Sequence, residues 1–224
     1  MDIEIADVPL RLLTQRAAFL PLEGLLLVAD LHLGKAQSFR RLGVPVPQGT
    51  TSATLARLDA AIAATGARGI VFLGDLIHSA RSKAPATWAA VARWRERHGG
   101  LDMHLVRGNH DRHAGDPPAE WRIACVDEPW RVGPGGALAL AHHPEPVKGA
   151  YVLAGHLHPA VSVGGRAHDR MRLPCFHFGP AVGVLPAFGA FTGTHTLPCT
   201  PDDRVYVVHD TAVTPLPPVR RTRP

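Results

Sequence analysis

Five apolar segments of this chain each end in a side chain that can bind a metal ion, and this recurrence constrains the fold more than any other feature. The five endings are Asp30-Leu31-His32 after residues 25–29, Asp75 after 70–74, Asn109-His110-Asp111 after 105–108, His142 after 139–141, and His156-Leu157-His158 after 152–155. Ligands of open α/β sheets gather at the carboxyl ends of strands, so the pattern predicts one shared site.

The residue types at these endings indicate a divalent metal site. Asp30 and His32 are two residues apart, as are His156 and His158, so in extended segments both members of each pair face the same side. Aspartate, histidine and asparagine without cysteine favour manganese or iron, with zinc as an alternative. Two such cations repel each other, and Asp75, which stands alone after its segment, is the best candidate for a carboxylate bridge between them. A pair of ions can activate water to hydroxide and hold phosphate oxygens, so the sequence predicts a two-metal phosphoesterase.

The apolar periodicity predicts an α/β fold. Helical spacing is found from Thr50 or Thr51 to about Thr65 and over residues 85–98. The strands are predicted at residues 25–29, 70–73 and 103–106 in the first half, and at 138–141, 151–154, 175–178 and 205–208 in the second. Alternating elements followed by strands fit a sandwich of two sheets with helices outside. No linker is visible, so we expect one domain over residues 1–215 and a Pro/Arg-rich tail over 216–224.

Composition limits the class of protein. A hydrophobic fraction of 46% with 19% charged residues is typical of a globular domain and excludes a disordered chain. The early apolar run at 25–29 is too short to span a membrane, the first residues lack a basic signal-peptide region, and three scattered cysteines form no CxxC pair. We therefore expect a cytoplasmic protein without a membrane association. The net charge of +5 permits a nucleic-acid substrate without showing one.

The ordered series Asp30-x-His32, Gly74-Asp75, Gly108-Asn109-His110-Asp111, His142 and Gly155-His156-x-His158 resembles the calcineurin-like metallophosphoesterases. The resemblance implies two mixed β-sheets flanked by helices, with a dinuclear centre at the strand ends. It implies that one metal is held by Asp30, His32 and His158, the other by Asn109, His142 and His156, and that Asp75 bridges them. It also implies that His110 protonates the leaving oxygen and that Asp111 orients His110.

A narrower resemblance covers nearly the whole chain. It rests on residues 29–35, Phe39-Arg40, Gly43, Pro47, residues 49–51, residues 74–79, His142-His143-Pro144, residues 155–159 and residues 185–189. Together these are similar to the bacterial ligase-associated DNA damage response metallophosphoesterases. This similarity implies a manganese-dependent endonuclease and phosphodiesterase that cuts single-stranded DNA in DNA repair, in functional association with a DNA ligase and a helicase.

Several residues and two other functions stay open at this stage. Only one of His142 and His143 can point inward from a strand, and the resemblance favours His142. His78 and His113 lie near the motifs and are either contacts of the site or surface groups; Lys35, Arg81 and Arg112 are candidate phosphate contacts or solvated loop charges. The alternative functions are a phosphatase or phosphodiesterase of small nucleotides and a non-catalytic scaffold, which would have no need of His110 as a proton donor.

Overall fold

A computed structural model describes residues 1–82, 84–164 and 170–218 of the chain, and its strands form two sheets. The first sheet contains, in spatial order, β1 (Asp2–Ile5), β2 (Val8–Leu12), β3 (Ala18–Leu20), β4 (Leu25–Val28), β5 (Gly69–Leu73), β6 (Asp102–Val106) and β7 (Ala124–Val126). The second sheet is built from β8 (Trp130–Val132), β9 (Leu138–Leu140), β10 (Tyr151–Ala154), β11 (Pro159–Gly164), β12 (Arg170–Phe178), β13 (Val182–Val184), β14 (His195–Thr196), β15 (Arg204–Val208) and β16 (Val213–Pro215).

The helices belong mainly to the first half of the chain. They are α1 (Lys35–Arg41), α2 (Thr50–Thr65), α3 (Pro85–Arg97) and α4 (Asn109–Ala114), with short 3-10 helices at Ala80–Ser82, Ala119–Trp121 and Pro134–Gly136. Helices α2 and α3 contact each other and lie on the outer face of the first sheet. Among the helices of the described ranges, none is long and apolar enough to cross a membrane.

The alternation of side chains along the central strands creates two separate cores. In β4, Leu26 and Val28 face the helices, whereas Leu27 packs between the sheets. In β5, Phe72 faces the helices in the same way and Val71 faces the second sheet. Successive side chains of a strand point to opposite faces, so an apolar run without polar interruption is what a strand buried on both sides requires.

The parallel strands of both sheets end at one place. Strands β4, β5 and β6 are parallel neighbours in the first sheet, and β9 and β10 are parallel neighbours in the second. Their carboxyl ends lead into the five polar endings that the sequence contains. The sandwich therefore carries residues from both sheets to a common edge.

The predicted fold class is confirmed: two mixed sheets are packed together and flanked by helices. The predicted helices and strands are present with shifts of one or two residues at their ends, except that β12 extends five residues before its predicted start. The short strands β3, β7, β8, β13, β14 and β16 were not predicted because runs of two or three residues show no measurable periodicity. Strand β11, which begins at a proline and ends at a glycine, was not predicted either. Part of the predicted tail over 216–224 lies outside the described residues.

Candidate metal centre

All seven predicted metal ligands lie together at the common edge of the two sheets. Four overlapping groups of imidazole nitrogens and carboxylate oxygens have their ligand atoms within 4.8 Å of one another. The groups are Asp30–His32–His158, Asp30–Asp75–His142, His142–His143–His156 and His32–His78–His110. Asp30 and His142 are fully buried, so these two polar groups at the centre of the cluster have been taken out of water.

The backbone at these residues is not extended, which corrects the predicted extended geometry, although the ligand atoms of Asp30 and His32 do lie in one group. Asp30, His32, Asp75, His156 and His158 all adopt positive φ, between 48° and 73°. Left-handed backbone costs a non-glycine residue about 1 kcal/mol or more and is concentrated at functional sites. The turns after β4, β5 and β10 therefore place the ligands by bending sharply, and this conformation cannot be read from an apolar run.

The first half of the centre is formed by Asp30, His32 and His158. The Nε2 atoms of the two histidines lie 3.3 Å apart, and His158 Nε2 is 3.5 Å from Asp30 Oδ1. His158 donates its Nδ1–H to the carbonyl of Gly193 at 3.0 Å, which leaves the lone pair on Nε2 in the neutral ring. A carbonyl acceptor on the far nitrogen is the usual partner of a histidine that binds metal.

The second half is formed by Asn109, His142 and His156. His142 Nε2 lies 2.9 Å from Asn109 Oδ1 and 3.0 Å from His156 Nδ1. The Nδ1–H of His142 donates to the carbonyl of Leu73 at 3.1 Å, so its Nε2 lone pair also faces the cluster. Burial lowers the pKa of His142 and keeps this ring neutral, the form that coordinates a cation.

Asp75 lies between the two halves. Its Oδ1 is 3.5 Å from His142 Nε2, and its Oδ2 is 3.8 Å from His32 Nε2. One oxygen therefore faces each group of histidines, which is the arrangement that a bridging carboxylate needs. Burial and the nearby charge of Asp30 raise the pKa of Asp75, because two buried carboxylates repel each other.

The donor set fits divalent cations. Within the described residues, Asp30 Oδ1 is buried without a hydrogen-bond partner, and an unpaired buried carboxylate oxygen is costly. Burial lowers the pKa of His32, His142 and His156, so these neutral imidazoles provide nitrogen donors, while the two buried carboxylates provide the negative charge that a cation requires. The set contains oxygen and nitrogen but no sulfur, which suits manganese, iron or zinc.

His110 is placed at the open side of the cluster, with 36% of its side chain exposed. Its Nε2 is 3.9 Å from Asp75 Oδ2, and its Nδ1–H donates to the carbonyl of His78 at 2.6 Å. The imidazole rings of His78 and His110 stack with their centroids 5.0 Å apart. Burial, followed by the neighbouring His110 and Lys35, lowers the pKa of His78 to about 4, so this ring is uncharged at neutral pH.

In the described contacts, the Asp111 carboxylate has no hydrogen bond with the His110 side chain and bonds to backbone N–H groups instead. It accepts hydrogen bonds from the N–H groups of Gly108 at 3.0 Å and Ile77 at 3.1 Å. Burial raises its pKa to about 6 although these hydrogen bonds oppose the shift. Because Ile77 precedes His78, an orienting role of Asp111 would act by holding the loop whose carbonyl fixes the His110 ring.

His143 lies at the site as well as His142, which corrects the premise that only one of them can face inward. Strand β9 ends at Leu140, so both histidines belong to a turn rather than a strand. The His143 ring centroid is 4.8 Å from those of both His142 and His156. His113, by contrast, is exposed on α4 and bonds through Nδ1 to the carbonyl of Asn109.

A cavity of about 360 Å³ adjoins the second half of the centre. Its lining residues are Arg112, Glu128, Pro129, Ala141, His143, Glu145, Pro146 and Val147. Arg112 is more than half exposed, and its Nη2 lies 3.7 Å from Glu128 Oε1. Glu128 was not singled out from the sequence, since an isolated glutamate before a proline carries no motif.

The other two candidate phosphate contacts lie after the first and second parallel strands. Lys35 begins α1 and lines a small notch together with His32, and burial lowers the pKa of its ammonium group. Arg81 lies in the 3-10 helix that follows the Asp75 turn. Lys35 and Arg112 thus flank the two halves of the centre, one on each.

The fold and this cluster define a class, the metal-dependent phosphoesterases. Residues 25–136 match the family model described as calcineurin-like phosphoesterase. The chain is 44% identical in sequence to the protein in the crystal structure of Pseudomonas putida nuclease MPE. The match covers 96% of this chain and 99% of that chain, with a TM-score of 0.84. The chain belongs to the calcineurin-like phosphoesterase family.

A more distant solved structure is YfcE, a phosphoesterase from E. coli. It is 16% identical over 84% of this chain and 95% of that chain, and its TM-score of 0.42 is too low to add to the argument. No curated protein matches the chain.

Proposed function

We propose that this protein is a manganese-dependent endonuclease that hydrolyses phosphodiester bonds of single-stranded DNA. The observation that carries the proposal is the position of Asp75, with one oxygen toward each of two histidine groups and His110 on the open side. The 44% identity to a nuclease over nearly the full chain supports nucleic acid as the substrate. The narrower resemblance supports a cytoplasmic role in DNA repair, associated with a DNA ligase and a helicase.

The proposed chemistry divides between the cations and the chain. Two bound divalent ions would activate water and offset charge on the non-bridging phosphate oxygens. Asp30, His32 and His158 would hold one ion, Asn109, His142 and His156 the other, and Asp75 both. The chain's own proton donor is His110: the His78 carbonyl holds hydrogen on Nδ1, so a protonated ring presents its Nε2–H on the open side to the leaving oxygen.

The surroundings of the centre are suited to a strand that passes across it. Lys35 lies on one side, and on the other side Arg112 lines the cavity of about 360 Å³. Arginine binds phosphate through a planar pair of donors, so Arg112 is the better placed to hold a backbone phosphate beside the scissile one.

Cutting of circular DNA tests the proposal directly. Purified protein with manganese should convert circular single-stranded DNA to linear strands and should leave duplex circles largely intact, whereas magnesium and zinc in parallel reactions identify the active metal. The rate should fall steeply with salt, since each phosphate contact on a single strand contributes a slope of about −0.7 in log–log form. If the protein hydrolyses small nucleotides but does not cut the circle, the result favours the function of a small-nucleotide phosphodiesterase. If it shows no manganese-dependent hydrolysis of bis-p-nitrophenyl phosphate, the result favours the non-catalytic scaffold.

The role of His110 predicts a dependence on the leaving group. His110→Ala should reduce DNA cleavage by about 10²- to 10⁴-fold, the usual contribution of a general acid, and should reduce release of p-nitrophenolate far less. The reason is that p-nitrophenolate leaves without a proton, whereas a sugar oxygen does not. Rates on both substrates, with bound manganese measured in each sample, check this prediction.

His209→Ala is a suitable control for that measurement, since His209 is an exposed histidine at the end of β15. It should match the parent protein on both substrates. Equal losses on the two substrates in His110→Ala would argue for a role in substrate binding and against proton donation.

A further inference from the structure

Glu128 binds the turn that carries the metal-binding half formed by Asn109, His142 and His156. Its Oε2 accepts two hydrogen bonds from consecutive backbone N–H groups, that of His142 at 2.8 Å and that of His143 at 2.9 Å. Its Oε1 accepts a third from His143 Nδ1 at 2.7 Å. One carboxylate therefore satisfies three donors of two adjacent residues.

Apart from Glu128, the backbone beside His142 is held by the hydrogen bond from the Ala141 N–H to the carbonyl of Leu153 at 3.1 Å. Strand β9 ends two residues before His142, and the turn runs on through Pro144 and Pro146, which have no N–H to donate. The His142 ring donates its Nδ1–H to the carbonyl of Leu73, but its backbone N–H is held by a side chain from a different segment, fourteen residues earlier. Among the described contacts, the Glu128 carboxylate is thus the partner of the His142 backbone N–H.

The Glu128 carboxylate is mostly buried and bonded to the protein rather than solvated. Only 17% of its side chain is exposed, and Arg112 lies 3.7 Å from the oxygen that binds the His143 ring. Charge-assisted hydrogen bonds of this kind are stronger than neutral ones, so the contacts are well suited to hold a ligand-bearing turn.

We propose that Glu128 is a positioning residue of the metal centre, which acts through the backbone of His142 and His143 to hold the His142 imidazole at the second metal position. This inference rests on the proposed ligand role of His142, but not on the identity of the substrate. Residues that orient metal ligands in this way affect metal affinity without touching the metal.

Titration of metal-stripped protein with manganese tests the inference without reference to catalysis. The parent protein should bind two equivalents, and Glu128→Ala should lose about 10- to 100-fold in affinity for one of them while the other is retained. Glu128→Gln should recover most of that affinity, because its amide oxygen can still accept both backbone N–H groups. Addition of excess manganese should restore most of the turnover of Glu128→Ala.

Three comparisons keep the result decisive. Glu120→Ala, in which an exposed glutamate is removed, should bind manganese like the parent protein. Glu128→Gln keeps an acceptor oxygen for both backbone N–H groups, and an affinity loss as large as that of Glu128→Ala would overturn the backbone route. A Glu128→Ala protein with a lower melting temperature but two unchanged manganese sites would show a purely structural role and would also overturn the inference.

Failure of this inference and failure of the proposed function are distinguishable. Manganese binding by Glu128→Ala equal to that of the parent overturns the positioning role even if circular DNA is cut. Conversely, loss of one manganese site in Glu128→Ala supports the positioning role even if the parent protein proves to act on another phosphodiester.

Discussion

Asp75→Asn is expected to reduce manganese-dependent phosphodiester hydrolysis by about 10³-fold or more, because metal ions supply several kcal/mol of charge stabilisation and each 1.36 kcal/mol is a factor of ten. The asparagine keeps the size of the side chain but replaces one charged oxygen by an NH₂ group. Since the two oxygens of Asp75 face different histidine groups, at 3.5 and 3.8 Å, the substitution removes the shared ligand from one of them. Rates on bis-p-nitrophenyl phosphate measure the loss.

The same substitution should leave the metal-free protein as stable as its parent, or more stable. Burial and Asp30 raise the pKa of Asp75, so the ionised carboxylate is unfavourable in the fold when no cation is bound, and a neutral amide relieves that repulsion. The increase in melting temperature that manganese gives the parent protein should shrink in the variant, because tight binding to the native state alone is what stabilises it. Thermal unfolding with and without manganese measures both effects.

Asp7→Asn is the matched control for this experiment. Asp7 also has a positive φ, at 61°, but its side chain is exposed and far from the cluster in the sequence. It should keep full activity and the full shift in melting temperature. Near-parental activity in Asp75→Asn would contradict the bridging role.

The sequence predicts the location of the centre better than its geometry. Strands β4 and β5 are apolar at every position, which is typical of strands buried on both faces, and the polar endings of neighbouring parallel strands lie at the same edge of a sheet. The ligand order then identified the family. The five left-handed residues among the ligands had no sequence signal, since aspartate and histidine at such positions look the same as at extended ones.

Contacts between distant segments account for the other residues that the sequence did not reveal. Glu128 binds His142 and His143 across fourteen and fifteen residues, and the His78 carbonyl binds His110 across thirty-two. A backbone carbonyl has no residue type to recognise, and a single glutamate has no spacing to measure. The premise that His142 and His143 alternate across a strand was wrong because β9 ends at Leu140, and a strand end is the least certain part of a periodicity argument.

Gly74→Ala is expected to disable the centre although Gly74 offers no ligand atom. Gly74 has φ at +75°, and a Cβ atom there would lie 2.2 Å from His142 Nδ1 and 2.4 Å from its Cγ. His142 is fully buried and its Nδ1–H already donates to the carbonyl of Leu73, so the ring cannot retreat without breaking that bond and leaving the proposed second metal position. We expect loss of one manganese equivalent in titrations and an activity loss similar to that of Asp75→Asn.

The stability of Gly74→Ala should fall as well. Left-handed backbone costs an alanine about 1–2 kcal/mol and overpacking of a core about 1–3 kcal/mol more, and for a domain of this size each kcal/mol lowers the melting temperature by about 2–4 °C. The melting temperature should therefore fall by about 10 °C.

Gly66→Ala separates the backbone cost from the clash with His142. Gly66 ends α2 with a similar φ, at +63°, but a Cβ atom there would meet nothing within 4 Å. It should show only the backbone cost of about 1–2 kcal/mol, with both manganese sites and full activity. Manganese binding by Gly74→Ala equal to that of Gly66→Ala would contradict this prediction. It would mean that the His142 ring has room to move, and that the close packing of the two sheets at Gly74 does not fix the position of His142.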